Sequence, residues 1–315
     1  MRYASKLYAS ENPCVTTIPM TTSKSPLLGW VNHWQSQGVS TIPAIFQLHQ
    51  VDCVPSTNSY LWARLDRGSD GHKDNSKQWG IVAIAHHQSS GRGQWGRQWC
   101  SPPGGLYLSA SLPALPVKQA GPLMLSCAWG IASALRQFGV PVQLKWPNDL
   151  VIGSRKLGGM LIETRLSGPR VTRAILGIGI NWRNEVPLGG VSIASLGHST
   201  VNPQIQASLC TLTAAVLTGT AVGCGRLQSQ GIGPIVPDYE TLMTHRGQTI
   251  TINHQGTQTT GRVAGVAPTG QLRLDIDRGS CSTPRPSAQK KPAGAPRGVV
   301  ADPGSIHLRY DAIDR

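Results

Sequence analysis

The sequence predicts an α+β protein, in which a larger domain with a mixed β-sheet and packed helices precedes a small β-barrel. Three observations carry this reading. Short apolar or alternating runs recur between residues 80 and 182. Long apolar stretches free of internal proline lie among and after them. From residue 249 onward, only short strand-like runs separated by turn residues remain.

Residues 1 to about 45 have weak, mixed periodicity and read as a variable leader. They contain no two helical patterns joined by a tight turn, so a DNA-reading helix-turn-helix is not expected. Gly80–Ala85 is a short apolar run expected as a buried strand, and Leu106–Leu112 alternates like a second strand. Pro122–Phe138 ends at Gly139 and predicts a helix burying Leu, Met, Ile and Ala, although Gly130 weakens the pattern. Val142–Trp146, Leu157–Leu166 and Val171–Trp182 are further strand expectations, and Pro203–Leu227 reads as helical. Thr249–Asn253, Arg262–Val266 and Leu272–Ile276 are short strands, with Pro268-Thr269-Gly270 as a turn between the last two. Residues 279–298 are rich in Pro, Ser and Lys and offer little to bury, so they read as a flexible insertion, after which Ser305–Tyr310 resumes the alternation. The expected division is a leader at 1–45, a main domain at 46–243 and a C-terminal module at 244–315.

Hydrophobic residues make up 39% of the 315-residue chain and charged ones 14%, with 36 glycines and 23 prolines, a globular composition rich in turns. The formal charge of +14 fits an anionic partner (nucleic acid, nucleotide or acidic protein), or simply a soluble surface. The basic residues are scattered rather than blocked, so charge does not decide between the two. Seven widely spaced cysteines form no C-x-x-C pair, which argues against a zinc knuckle or redox dithiol and fits a reducing, cytoplasmic compartment. No membrane-spanning stretch and no secretory signal is expected, while a processed organelle-type leader stays open.

Four motifs carry candidate chemistry. In Gly91–Trp99, Gly91, Gly93 and Gly96 let the backbone approach a ligand, and Arg92 and Arg97 offer guanidinium donors to phosphate oxygens. Trp95 and Trp99 add flat faces. The rival reading is a plain Gly/Arg surface loop. Lys145–Asp149 puts Asn148 and Asp149 at a strand end, or is an ordinary Pro-Asn-Asp turn. In Lys156–Glu163 a lysine enters a strand beside Gly158 and Gly159, where it meets an anionic ligand or simply solvent. In Leu176–Asn181, alternation puts Gly177, Gly179 and Asn181 on one face, leaving room for a ligand or for a closely packed helix. Ser56, Thr57 and Asn58 precede an apolar run and read as a polar cluster or a helix cap. Gln88 ends an apolar strand. His86-His87 lacks a third ligand, so no metal site is expected.

The order and spacing of these motifs resemble the biotin–protein ligases. Ser-Thr-Asn at 56–58, G-R-G-x-x-G-R-x-W-x-S-P-x-G-G from Gly91, K-W-P-N-D from Lys145, R-K-x-G-G-x-L-x-E from Arg155 and G-x-G-I-N from Gly177 carry the likeness. It runs from about Asp52 to Asn181 and continues loosely to Leu308-Arg309. The resemblance implies a class II synthetase-like catalytic domain with a small C-terminal SH3-like barrel. It also implies that biotin is activated with ATP and Mg2+ to biotinyl-5'-AMP and passed to a lysine of the biotin carboxyl carrier protein of acetyl-CoA carboxylase. By the same resemblance, Arg92, Lys156 and Asp149 act on the reacting groups. Ser56, Thr57, Asn58, Gln88, Gly91, Arg92, Gly93, Lys156, Gly159, Gly177 and Gly179 would bind biotin. ATP would meet Arg92, Gln94, Trp95, Arg97, Trp99, Asn148, Lys156, Asn181 and Arg309.

One departure is Gln94, where many bacterial members carry a second arginine; Gln supplies no positive charge to retain the adenylate. The form expected is monofunctional and cytoplasmic, with no specific nucleic acid and no membrane as partners; a homodimer stays open. The alternatives are a lipoate ligase or octanoyltransferase of related fold and a biotin-sensing repressor, the latter needing a DNA-reading domain. A general RNA-binding protein would explain the charge but not the ordered motifs.

Overall fold

A computed structural model describes residues 14–19, 27–36, 45–67, 80–197, 201–254, 257–276 and 297–301. The main sheet begins with β1 (Cys14–Pro19), β2 (Ile45–Val54), β3 (Ile81–Gln88) and β4 (Leu106–Leu112). It continues with the two-residue β5 (Leu115–Pro116), then β6 (Gln143–Lys145), β7 (Asp149–Ile152), β8 (Arg155–Ser167) and β9 (Arg170–Ile180). Its order is β1-β2-β3-β4-β9-β8-β7-β6, with β5 on β9. Only β2 and β3 run parallel; the other pairs are antiparallel, so the sheet is mixed.

Helices cover both faces. α2 (Thr57–Arg67) lies on one, where Leu61 and Leu65 bury against Ile81, Ala83 and Ile175. α3 (Ala120–Gln137) and α5 (Leu209–Gln230) cover the other, joined there by Val82, Leu176 and Ile178. Adjacent residues of β3 and β9 thus serve opposite cores, as the two-residue period of a strand requires. All seven residues of β4 are buried because this strand is covered on both sides. Gly130, which weakens the helical pattern on paper, is where α3 crosses α5. A Cβ there would lie 3.0 Å from Gly219 C and Gly223 N and closer still to Gly219 O, so a side chain would force the helices apart.

The residues expected as a leader contribute β1, paired with β2, and α1 (Leu27–Ser36), which packs on α5 and α3. The expected helix Pro203–Leu227 is two helices. α4 (Pro203–Ala207) ends at Ser208, whose extended backbone (φ −128°, ψ 115°) and hydroxyl, 3.2 Å from Thr211 N, cap α5 afresh. The expectation of no membrane-length apolar stretch needs correction: α5, at 22 residues, is apolar enough to cross a membrane, but 78% of that stretch is buried inside the fold. It is a core helix.

After α6 (Ile235–Thr241), β10 (Thr249–His254), β11 (Thr257–Val266), β12 (Leu272–Ile276) and β13 (Arg297–Ala301) form an antiparallel four-stranded sheet in sequence order. Arg297 and Gly298, read as the end of an insertion, begin β13. The rest of that insertion, the expected strand Ser305–Tyr310 and Arg309 lie outside the described residues. The small sheet is anchored to the larger unit. Glu240 of α6, 7% exposed, accepts from Val266 N (2.9 Å) at the bulge of β11 and pairs with Arg273 and Arg246. Trp146 Nε1 donates to Gly270 O (2.9 Å), so the Lys145–Asp149 motif is itself tied to the turn between β11 and β12.

Candidate active site

The apolar run of β3 delivers Gln88 to the end of the strand, opposite the first turn of α2. Ser56 O accepts from Tyr60 N (3.0 Å), so Ser56 caps α2 and Thr57 is its first helical residue. Gln88 Oε1 accepts from Thr57 N (2.9 Å), satisfying a helix-end amide, while its Nε2 donates to Ser101 Oγ (2.8 Å). The cap and the polar-cluster readings of residues 56–58 are therefore both correct. Ser109 of β4 sits between Asn58 Oδ1 (2.5 Å) and Thr57 Oγ1 (2.8 Å). These buried polar groups form one floor, each held by its neighbours.

The glycine/arginine loop is ordered as a narrow excursion. Trp99 N donates to Gly91 O (2.9 Å) and Gly93 N to Arg97 O (2.7 Å), and Arg92 and Gln98 form a bridge. At its tip, Trp95 takes a left-handed backbone (φ 60°, ψ 35°) and leaves 61% of its surface exposed. Such a conformation is uncommon for a bulky residue and marks a strained tip.

A hairpin brings the second and third motifs together. β6 and β7 pair Lys145 with Asp149, and β7 and β8 pair Asp149 with Gly159. Lys156 Nζ then lies 2.7 Å from Asp149 Oδ1, and 5.3 Å from the centre of the Trp99 ring. Asn148 Nδ2 donates to Met160 O (2.6 Å), fixing the turn onto β8. The glycines of β9 back this space. A Cβ at Gly177 would lie 3.0 Å from Asn58 Cγ, and one at Gly179 would lie 2.6 Å from Trp99 Cε2. Neither strand position tolerates a side chain while those residues stand where they do.

One cleft collects these parts. It is lined by Ser56, Thr57, Asn58, Gln88, Arg92, Gly93, Gln94, Trp95, Arg97, Trp99, Asn148, Asp149, Lys156, Gly159, Gly177 and Gly179, all singled out from the sequence. Among the described residues, two nominees fall elsewhere. Gly91 lies just behind the wall, its carbonyl paired with Trp99 N. Asn181 follows β9 and turns away, its side chain donating to Lys156 O (3.3 Å) and accepting from Asn184 (3.1 Å). The strand ends at Ile180, so the alternation that placed Asn181 beside Gly179 no longer applies. Arg309 is outside the described residues.

The cleft also includes residues given no role from the sequence: Lys145, only 3% exposed, with Trp146, Gln98, Met160, Leu161 and Ile178. A lysine flanked by Leu144 and Trp146 in an apolar strand was the available signal for the first. Beneath the hairpin, burial first and the Asp149 charge second push the Tyr239 hydroxyl above its ordinary range. Burial, assisted by Lys145, pulls His245 down to about 4, leaving it neutral near pH 7. Its Nδ1 lies 2.7 Å from Thr244 Oγ1. Among the described residues no three His, Cys, Asp or Glu side chains converge as a metal site.

Chemically, the cleft holds the cations Arg92, Arg97, Lys145 and Lys156 on its walls, with Lys156 paired to the carboxylate of Asp149. That suits an anionic ligand whose charge must be neutralised at fixed points.

Residues 51–181 match the model of the biotin/lipoate A/B protein ligase family. The bifunctional ligase/repressor BirA of Escherichia coli (strain K12) is 29% identical over 71% of this chain and 68% of its own length. The biotin–[acetyl-CoA-carboxylase] ligase of Mycobacterium tuberculosis is 33% identical over 48% of this chain, which spans 56% of that protein. Among solved structures, the biotin protein ligase from Aquifex aeolicus in complex with biotin and ATP superposes with a TM-score of 0.59 at 22% identity. That match covers 83% of this chain and 98% of the other, a likeness of fold.

Proposed function

We propose that the chain is a biotin–protein ligase of the biotin/lipoate A/B protein ligase family, and that it biotinylates a lysine of a carrier protein in two steps. In the first, a biotin carboxylate oxygen attacks the α-phosphorus of ATP, the bond to the β-phosphate breaks, and pyrophosphate leaves. In the second, a lysine amine attacks the acyl carbon of biotinyl-5'-AMP. AMP leaves, the amine loses a proton, and an amide forms.

The observation that carries the proposal is the convergence of all four sequence motifs on one cleft. Ser56, Thr57, Asn58 and Gln88 offer the polar contacts for the biotin end, with Gly159, Gly177 and Gly179 as its wall. Arg92 and Lys156 neutralise charge at the carboxylate and α-phosphate, which is most of what such chemistry needs from a protein. Asn148 and Trp99 face the nucleotide, and Gln94, Trp95 and Arg97 close over it from the loop. Asp149 orients Lys156 and then receives the incoming amine, which is largely protonated at neutral pH. Mg2+ enters as the partner of ATP rather than through a protein cage.

Residues 46–243 act as the catalytic domain. The C-terminal module that begins at residue 244 is read as an SH3-like barrel built on β10–β13, and Arg309, outside the described residues, is proposed to meet the nucleotide. The acceptor is the biotin carboxyl carrier protein of acetyl-CoA carboxylase, in the cytoplasm.

The test is incubation of purified protein with ATP, magnesium, labelled biotin and a carrier domain, beside a parallel arm with lipoate. Label on the carrier lysine from biotin alone supports the proposal. Preferential labelling by lipoate overturns it in favour of the sister activity of the family.

A further inference from the structure

Glu163, near the middle of β8, is absent from the cleft wall, yet it holds two residues that line it. Its Oε2 accepts from Asn58 Nδ2 at 2.8 Å, from Trp62 Nε1 at 3.3 Å and from the Arg92 guanidinium (Nη2) at 2.7 Å. Asn58 and Trp62 come from α2 and Arg92 from the glycine-rich loop, so one oxygen gathers donors from two separate elements.

An exposed ion pair between two flexible side chains contributes little. This one differs in being built. The Glu163 side chain is 26% exposed. The neighbouring cation that could compete for it, Arg165, is committed to Asp66 and stacks 4.3 Å over the Trp62 ring. Asn58 is itself fixed from the other side by Ser109. The arrangement engages one terminal nitrogen of Arg92, and a guanidinium carries five N–H donors, so the others remain to meet a ligand. Arg92 sits between Gly91 and Gly93, where its own backbone restrains it weakly.

We infer that Glu163 is a positioning residue: it ties the biotin-side Asn58 to Arg92 and aims the free edge of that guanidinium into the cleft before substrate arrives. The inference rests on the ligase reading and adds to it a link between the polar floor and the loop. Holding a charged donor in place in advance removes ordering cost from the chemical step rather than from ATP binding.

The test compares wild type, Glu163→Gln, Arg92→Ala, the double variant and Trp62→Phe, in two assays. In the first, without ligand, trypsin cleavage after Arg92 is timed. The tie predicts cleavage at least about threefold faster in Glu163→Gln, because a neutral amide holds the guanidinium less well. In the second, single-turnover pyrophosphate release is followed with biotin and ATP. The rate constant is expected to fall about tenfold in Glu163→Gln, with the KM for ATP within about twofold of wild type. Arg92→Ala and the double variant should share one rate. Trp62→Phe, which removes a donor without altering charge, should show a smaller change in the same direction, and it keeps the idea testable if Glu163→Gln folds poorly. Misfolding would reduce the reacting fraction but not the rate constant. Unchanged cleavage, or a Glu163→Gln effect that persists in full on the Arg92→Ala background, overturns the inference. Wild-type protein that releases no pyrophosphate instead fails the ligase reading, and the trypsin comparison then rules alone on whether Glu163 holds Arg92.

Discussion

Replacing Gly177 by alanine inserts one methyl group at the point where the sheet meets the polar floor. The new Cβ would stand 3.0 Å from Asn58 Cγ and 3.1 Å from its Nδ2, and closer to Oδ1. Asn58 cannot move away freely, because Ser109 holds its oxygen at 2.5 Å and Glu163 holds its nitrogen at 2.8 Å. Moving it loses one neutral hydrogen bond, about 1 kcal/mol, and one to a charged acceptor, about 1.5–3 kcal/mol. The expected destabilisation is therefore about 2–4 kcal/mol, accompanied by weaker biotin binding because Asn58 lines the cleft. Urea unfolding measures the first and a biotin titration the second. Gly233→Ala is the control: nothing lies within 4 Å of its Cβ position and its φ is not left-handed, so its change should stay within about 0.5 kcal/mol. A Gly177→Ala protein as stable as the control, binding biotin as wild type does, would refute this account of the floor.

Lys156→Gln removes the charge beside Asp149, so adenylate formation should fall about 10²-fold or more with little loss of stability; stopped-flow pyrophosphate release and a melting curve check the pair. Gln94→Arg adds positive charge to the cleft loop and should slow escape of biotinyl-5'-AMP into solvent. Equal leakage from variant and wild type would remove Gln94 from adenylate retention. His245 is held down to about 4 from an ordinary value of 6.5, so the unfolded chain binds the extra proton first as pH falls. Its contribution is intact above pH 6.5 and is lost between there and about 4, at up to roughly 1.4 kcal/mol per pH unit. Urea midpoints of wild type should thus decline more steeply than those of His245→Phe across that window, and parallel declines would contradict the burial argument.

Much of this architecture was legible because periodicity reports burial. Leu272–Ile276 is a strand with those bounds whose burial alternates, while Leu106–Leu112 is also a strand as expected but is buried throughout, since helices cover both of its faces. Elements escaped where local pattern and tertiary role part company. β1 and α1 lie in a stretch of weak periodicity, and their places come from β2 beside one and α5 and α3 beside the other. Ser208 breaks a long apolar stretch by capping, which hydrophobic spacing alone does not reveal. The site was more legible than the fold's edges, since glycines, arginines and a Lys-Trp-Pro-Asn-Asp string have few cheap reasons to recur in that order. Asn181 was misplaced by extending strand alternation one residue past Ile180. Lys145 and Glu163 stood inside quoted motifs without a role, because only the folded sheet brings one to the cleft and sets the other behind Arg92.

The most direct measurement is release of pyrophosphate by the purified full chain given ATP and magnesium, with biotin, lipoate or neither added. The account predicts stoichiometric release dependent on biotin, abolished by Arg92→Ala and Lys156→Gln together. Release indifferent to biotin, or none in its presence, would contradict it.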